Sequence, residues 1–275
     1  MTDPTLLTVV LIFAALFGLI IGSFLNVVAY RVPAGISLLR ESRCPSCDAP
    51  VKPWQNIPVL SWLALRGHCA SCREPISVRY PVVELTTGAL FAAIAALLPW
   101  QQLAPNLAAG VCVLLAFWWF AGSSVALTLI DLDTRRLPDA IVLPGYGVGI
   151  VLLTLACLLG ADWWALLRAG IGAALLFGLY ALLWLVRPGA MGMGDVKLAG
   201  LVGLHLGWLG WAAVAVGATA AFILGGLYGV GLIATRRAGR KTALAFGPWM
   251  IVGAWTGVLA GTGIAQFYLG LSGLA

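Results

Sequence analysis

Four cysteines and two aspartates carry most of the chemistry open to this sequence. Cys44-Pro-Ser-Cys47 and Cys69-Ala-Ser-Cys72 are two CxxC pairs within one polar segment. Short CxxC knuckles can bring four thiolates into a tetrahedron around Zn2+. Disulfides and redox exchange are the other uses open to four thiols. The acids lie further on. Thr128–Asp139 reads TLIDLDTRRLPD, with Asp131, Asp133 and Asp139 around Arg135 and Arg136, at the end of an apolar run that begins at Leu107. Asp195 follows in GMGDVKLAG. An Asp at mid-bilayer costs about 2.5–3.5 kcal/mol, less where headgroup water reaches it. Two such acids meeting at one membrane surface would make a catalytic pair. Like charges held close resist double ionisation, so one carboxylate activates water while the other, protonated, donates to a carbonyl oxygen. That hydrolyses a peptide bond without a metal. Gly192 and Gly194 would let a substrate backbone approach. Taken singly, each Asp suits snorkelling or helix capping as well.

The elements that position these groups are membrane helices. Of 275 residues, 61% are hydrophobic and 9% charged, where soluble domains run near 25% charged. The 34 Gly, 14 Pro and 12 Trp also fit membrane spans. A net charge of +6 could suggest nucleic acid, but the basic residues sit in short loops between apolar runs, so no nucleic-acid partner is expected.

Eight spans are predicted: Leu6–Tyr30, Pro81–Trp100, Leu107–Ile130, Ala140–Leu159, Trp164–Val186, a short one from Asp195 to about Leu206 or Trp208, Ala212–Ala234 and Pro248–Leu269. The first has no basic n-region and no small-residue cleavage site before Arg31, so it reads as a retained span. Gly18, Gly22 and Ser23 give it a small-residue packing face. Asn26 within it either bonds to another helix or touches substrate. With both termini outside, the cytoplasmic segments are 31–80, 131–139, 187–197 and 235–247. They hold 15 of the 16 Lys and Arg residues, Arg168 being the exception, as the positive-inside rule asks. A cytoplasmic 31–80 weakens the disulfide reading, and a segment with so few large apolar side chains benefits from a metal staple. His68 is read as a bystander, Cys112 and Cys157 as packing residues. Glu84 is expected to pair with an Arg or offset a basic ligand. Asp139 is expected to cap the helix starting at Ala140, or to contact substrate.

The stretches GSFLNVVAYRVP, CPSC, NIPVLSWLALRGHCASC, ISVRYPVVELTTGALF, LIDLDTRRLPD, GMGDVKL and AFGPW, in that order, resemble the type IV prepilin peptidases almost end to end. The wider likeness is to GxGD membrane aspartic proteases, which include presenilin. The resemblance implies that Asp131 and Asp195 are catalytic and that Cys44, Cys47, Cys69 and Cys72 hold a structural zinc. It implies cleavage of prepilin or pseudopilin leaders on the cytoplasmic side, after a Gly and usually before Phe or Met, with a Glu at the fifth mature position. It also implies, in many members, N-methylation of the new amine from S-adenosylmethionine. No nucleotide-binding glycine loop is present to support methylation independently. Two departures stand out: Arg31–Cys44 is short where many members carry an insertion, and Ala245 occupies the place of a common Pro before FGP.

The expectation is an all-α polytopic membrane protein of about eight transmembrane helices with a small cytoplasmic zinc-knuckle domain. Its parts would be a first helix (1–30), a four-cysteine zinc-binding domain (31–80) and a seven-helix peptidase core (81–275), in the bacterial cytoplasmic membrane against lipid. A cation transporter would want its acids nearer the bilayer midplane and gives the cysteines no role. A non-catalytic scaffold would tolerate Asp131→Asn and Asp195→Asn.

Overall fold

The computed structural model describes residues 4–98, 103–187, 191–236 and 245–272. The predicted ends at Trp100 and in the basic loop beyond Arg236 lie outside them. The protein is an all-α polytopic membrane protein. Its long helices are α1 (Pro4–Arg31), α3 (Arg79–Leu97), α4 (Leu107–Thr134), α5 (Asp139–Leu158), α6 (Trp163–Val186), α7 (Met193–Leu209), α8 (Trp211–Ala234) and α9 (Gly247–Leu271), with a five-residue α2 (Leu60–Ala64) between α1 and α3. Seven of them, all but α2 and α7, are long and apolar enough to cross a membrane. The chain divides into two compact units, Met1–Leu97 and Leu98–Ala275. The cysteine segment is not delineated as a domain of its own. It clusters with α1 and α3.

In the first unit α1 and α3 run antiparallel along a seam of small residues. A Cβ on Gly18 would lie 2.8 Å from Gly88 Cα, and one on Gly22 would lie 2.8 Å from Glu84 Cα. Backbones can approach this closely only where side chains are absent. Asn26 extends the seam as predicted, its Nδ2 donating to Tyr80 O at 3.3 Å. Glu84 is buried and accepts the Val59 N–H at 2.7 Å. Val59 is a β-branched residue at φ +61°, a costly conformation held by that bond.

The second unit is built around α7. From Val196 to Trp208 all residues but Lys197 are buried, which suits a helix apolar on every side. Seventeen residues at 1.5 Å rise span about 26 Å, short of the roughly 30 Å hydrocarbon core. Gly203 and Gly172 let α7 and α6 meet backbone to backbone, while α5 covers it through Gly145 and Gly149. Arg168 of α6 closes its far end, Nε and Nη2 each donating at 2.8 Å to Gly207 O and Trp208 O. This explains the one basic residue that breaks the charge pattern: it satisfies carbonyls a helix end leaves unpaired.

Candidate active site and four-cysteine metal centre

Asp131 lies in the last turn of α4, which continues past the predicted end at Ile130 to Thr134. Arg135 then adopts φ +53° and returns its N–H to Asp131 O, turning the chain into Leu137 and Pro138. Asp195 lies in the first turn of α7, where its Oδ2 accepts the Gly192 N–H at 3.0 Å. The fold brings these two acids together from positions 64 residues apart in the chain, close enough for the charge of Asp195 to act on Asp131. Asp131 is buried, 4% exposed, whereas Asp195 is half-buried.

A third element, missed by sequence reasoning, completes the arrangement. Gly247, the first residue of α9, donates its N–H to Asp131 Oδ2 at 3.1 Å. A Cβ there would stand 2.7 Å from the same oxygen and 3.4 Å from Leu137 Cδ2. Leu137 also backs α7, since a Cβ on Gly194 would lie 2.9 Å from Leu137 Cβ. Leu137 therefore lies against both α7 and α9 at this end of the bundle. The signal was present as AFGPW, but nothing in it tells which oxygen its backbone would meet. Gly194 serves this helix contact, and Gly192 fixes Asp195. Tyr180 of α6, 2% exposed, is within electrostatic range of Asp195 and packs against Phe222 and Phe246.

Asp139 corrects an expectation. Pro138 occupies the N-cap position of α5 and Asp139 is inside its first turn. Both carboxylate oxygens of Asp139 accept from Lys197 Nζ at 2.8 Å, while Tyr146 Oη donates to Lys197 O at 2.7 Å. Capping fails because proline already fixes the helix entry, and the acid is drawn to a cation one helix away.

The four cysteines form a second site. Their Sγ atoms all lie within 4.8 Å of one another, and Cys44 and Cys72 are 3.7 Å apart. A tetrahedron with Zn–S bonds of about 2.3 Å has edges of about 3.8 Å, so the donor set fits Zn2+. The two knuckles are the same structure written twice. Cys44 N–H donates to Ala49 O and Asp48 N–H to Cys44 O; Cys69 N–H donates to Glu74 O and Arg73 N–H to Cys69 O. Asp48 at φ +55° and Arg73 at φ +63° make the corresponding left-handed turns. Isolated bridges Arg43–Pro50 and His68–Pro75 close both. The underlying sequence repeat, CxxCxxP, went unread as a repeat. Backbone N–H groups of Cys72 and Ser71 pull the Cys69 thiol down from 9.0 to about 6. The Glu74 N–H pulls Cys72 down too, but lost hydration and the crowding of Cys47, Cys69 and Cys44 prevail and push it up to about 12. Such a cluster of sulfurs is stabilised by a central cation. His68 is outside the cluster, its Nδ1 bonded to Arg66 O at 2.6 Å.

Residues 16–98 match the family model described as "Bacterial Peptidase A24 N-terminal domain", and residues 118–230 match "Type IV leader peptidase family". The chain is 35% identical over 276 residues to a prepilin leader peptidase/N-methyltransferase of Pseudomonas putida, covering 90% of each. It is 36% identical over 282 residues to one of Aeromonas hydrophila, covering 92% of each. Against one of Neisseria gonorrhoeae it is 35% identical over 275 residues, covering 88% of this chain and 87% of that one. No solved structure matches the chain.

Proposed function

From membership of the type IV prepilin leader peptidase/N-methyltransferase family, to which this chain belongs, we propose that it is an aspartic endopeptidase of the bacterial cytoplasmic membrane. Its substrates are prepilins or pseudopilins, cut after a Gly on the cytoplasmic side. The observation that carries this reading is the meeting of Asp131 and Asp195 at one end of the second unit's bundle, with the Gly247 N–H on Asp131. Two carboxylates held close together resist ionising at once and share one proton. The ionised carboxylate takes a proton from water as the water oxygen attacks the scissile carbonyl. The protonated carboxylate gives its proton to the carbonyl oxygen, forming a neutral tetrahedral diol. When the diol collapses, the proton taken from water passes to the departing amine, and one diol hydroxyl returns its proton to the other carboxylate, leaving a carboxylic acid and restoring the singly protonated pair. Charge placement in 31–80, 131–139 and 187–197 supports a cytoplasmic position for both acids.

The cysteine segment fits a structural zinc held by Cys44, Cys47, Cys69 and Cys72, which would tie 31–80 together as a cytoplasmic element ahead of the peptidase core. Methylation of the new N-terminal amine, with S-adenosylmethionine as donor, is supported by likeness to relatives that are prepilin leader peptidase/N-methyltransferases.

The test is intact-mass spectrometry of a prepilin incubated with detergent-purified enzyme and S-adenosylmethionine, alongside Asp131→Asn and Asp195→Asn. The expected product is cut after Gly by the wild type only, with one added methyl where both activities operate. Several prepilins left uncut by a folded, zinc-loaded enzyme would overturn the peptidase reading.

A further inference from the structure

In the first unit a cavity of about 310 Å³ opens beside the C-terminal half of α1. Its lining includes Ile20, Phe24, Val27 and Arg31 of α1, together with Arg40 and Ser42 from the following loop. Positions 20, 24, 27 and 31 fall at i, i+4, i+7 and i+11, one stripe along a helix. The stripe runs from exposed apolar side chains at Ile20 and Phe24 to a cation at the helix end, roughly 16 Å away at 1.5 Å per residue.

Arg31 is unusual. Only 8% exposed, its guanidinium donates to Ser37 O, Leu38 O, Arg40 O, Glu41 O and Ser42 Oγ. These acceptors are neutral, so they satisfy its N–H groups and leave its charge. Buried charges are ordinarily paired. Yet the loop's nearby acids, Glu41 and Asp48, pair with Arg43. Among the described residues no carboxylate reaches ion-pair distance of Arg31 or Arg40. Arg40 itself is exposed at the cavity's rim.

We propose that this cavity is a binding site for an anionic phospholipid, with the phosphate at Arg31, Arg40 and Ser42 and an acyl chain along Val27, Phe24 and Ile20. A free phosphate shares the headgroup chemistry but has no use for the apolar stripe. The bound lipid supplies the charge that Arg31 lacks and holds the loop at 37–42 to the membrane face of α1.

Native mass spectrometry of the full-length protein in detergent, titrated with phosphatidylglycerol or phosphatidylcholine, tests this without any peptidase assay. Phosphatidylglycerol is expected to bind at least tenfold more tightly than phosphatidylcholine. Arg40→Ala removes an exposed side chain and should leave the melting temperature unchanged. It should weaken phosphatidylglycerol about fivefold, the effect of one basic residue at a membrane surface. Phe24→Ser should weaken it as well, and millimolar inorganic phosphate should not displace it. Equal binding of the two lipids, wild-type affinity in Arg40→Ala, or displacement by inorganic phosphate would each overturn the assignment.

Discussion

The two reactive clusters are positioned by opposite means. The thiols are placed by local chain geometry: each knuckle closes within eight residues, by two backbone hydrogen bonds and one left-handed turn. The aspartates are placed by helix packing, at the end of α4 and the start of α7, with a hydrogen bond from α9. Local geometry survives changes elsewhere and tolerates an exposed setting. Geometry made by packing is only as accurate as the seams that hold it.

The largest effect expected is at the acids themselves. Asp131→Asn and Asp195→Asn each remove the shared proton, and general acid–base catalysis carries about 10²–10⁴ in rate. Cleavage, followed by product mass, should fall by at least that range in each variant while zinc content stays at the wild-type level. The double variant should fall little further, since the two act as one unit.

A double dissociation sharpens the contrast. Cys72→Ser opens the tetrahedron, so bound zinc, read by elemental analysis, should drop below one per chain and 31–80 should become protease-sensitive. Gly207→Val acts on the other unit, because its Cβ would lie 2.6 Å from Arg168 O. Overpacking costs about 1–3 kcal/mol, so the melting temperature should fall by several degrees with zinc retained. If Gly207→Val released zinc, the two clusters would not be positioned independently.

Gly247→Ala tests whether a single backbone contact governs the acid pair. The new methyl group stands against Asp131 Oδ2, so the carboxylate must turn or the N–H bond must lengthen. Hydrogen bonds to charged groups are worth about 1.5–3 kcal/mol, which corresponds to a fall in kcat of roughly 10- to 100-fold. KM should change little, because the new methyl group meets Asp131 and Leu137. A loss confined to KM would move Gly247 from positioning to substrate contact.

The knuckle has its own pH signature. In the metal-free protein the Cys69 thiol, lowered from 9.0 to about 6, stays ionised well below the usual thiol range. Its lowered value favours the folded knuckle fully above about pH 9, and that contribution is lost as pH falls toward 6. Zinc needs thiolates, and Cys72 is pushed up to about 12, so uptake by apoprotein at neutral pH should release protons that an indicator dye can count, and should weaken further as pH falls toward 6, where Cys69 also takes up a proton.

How far the sequence could be read follows the same division. Apolar runs fixed seven of the helices to within three residues at the ends described, because burial in lipid is written residue by residue. The cysteine cluster was legible because its partners are neighbours in the chain. The aspartates were legible as a pair by family likeness, but their surroundings were not. That Leu137 lies against α7 and α9, that Gly247 meets Asp131, and that Arg168 closes α7 all depend on which faces meet after packing. The Val59 N–H on Glu84 was equally illegible, since it comes from 25 residues away. Asp139 was misjudged because the helix start beside it offered a role, and the fold supplied a lysine 58 residues on.

That last pair yields the smallest expected effect. Lys197 Nζ and Asp139 join the start of α5 to the start of α7, two residues beyond Asp195. Both side chains keep considerable water contact, at 29% and 53% exposure, and such pairs contribute about 0–1 kcal/mol. Lys197→Gln should therefore lower the melting temperature by no more than about 3 °C. The helix junction has a second tie, from Tyr146 Oη to Lys197 O, which the substitution leaves in place because the acceptor is backbone. Activity should fall less than fivefold, and added salt should narrow the gap between variant and wild type by screening the pair in the latter. A loss as large as that of Asp195→Asn would mean that Lys197 acts on the reaction through its charge.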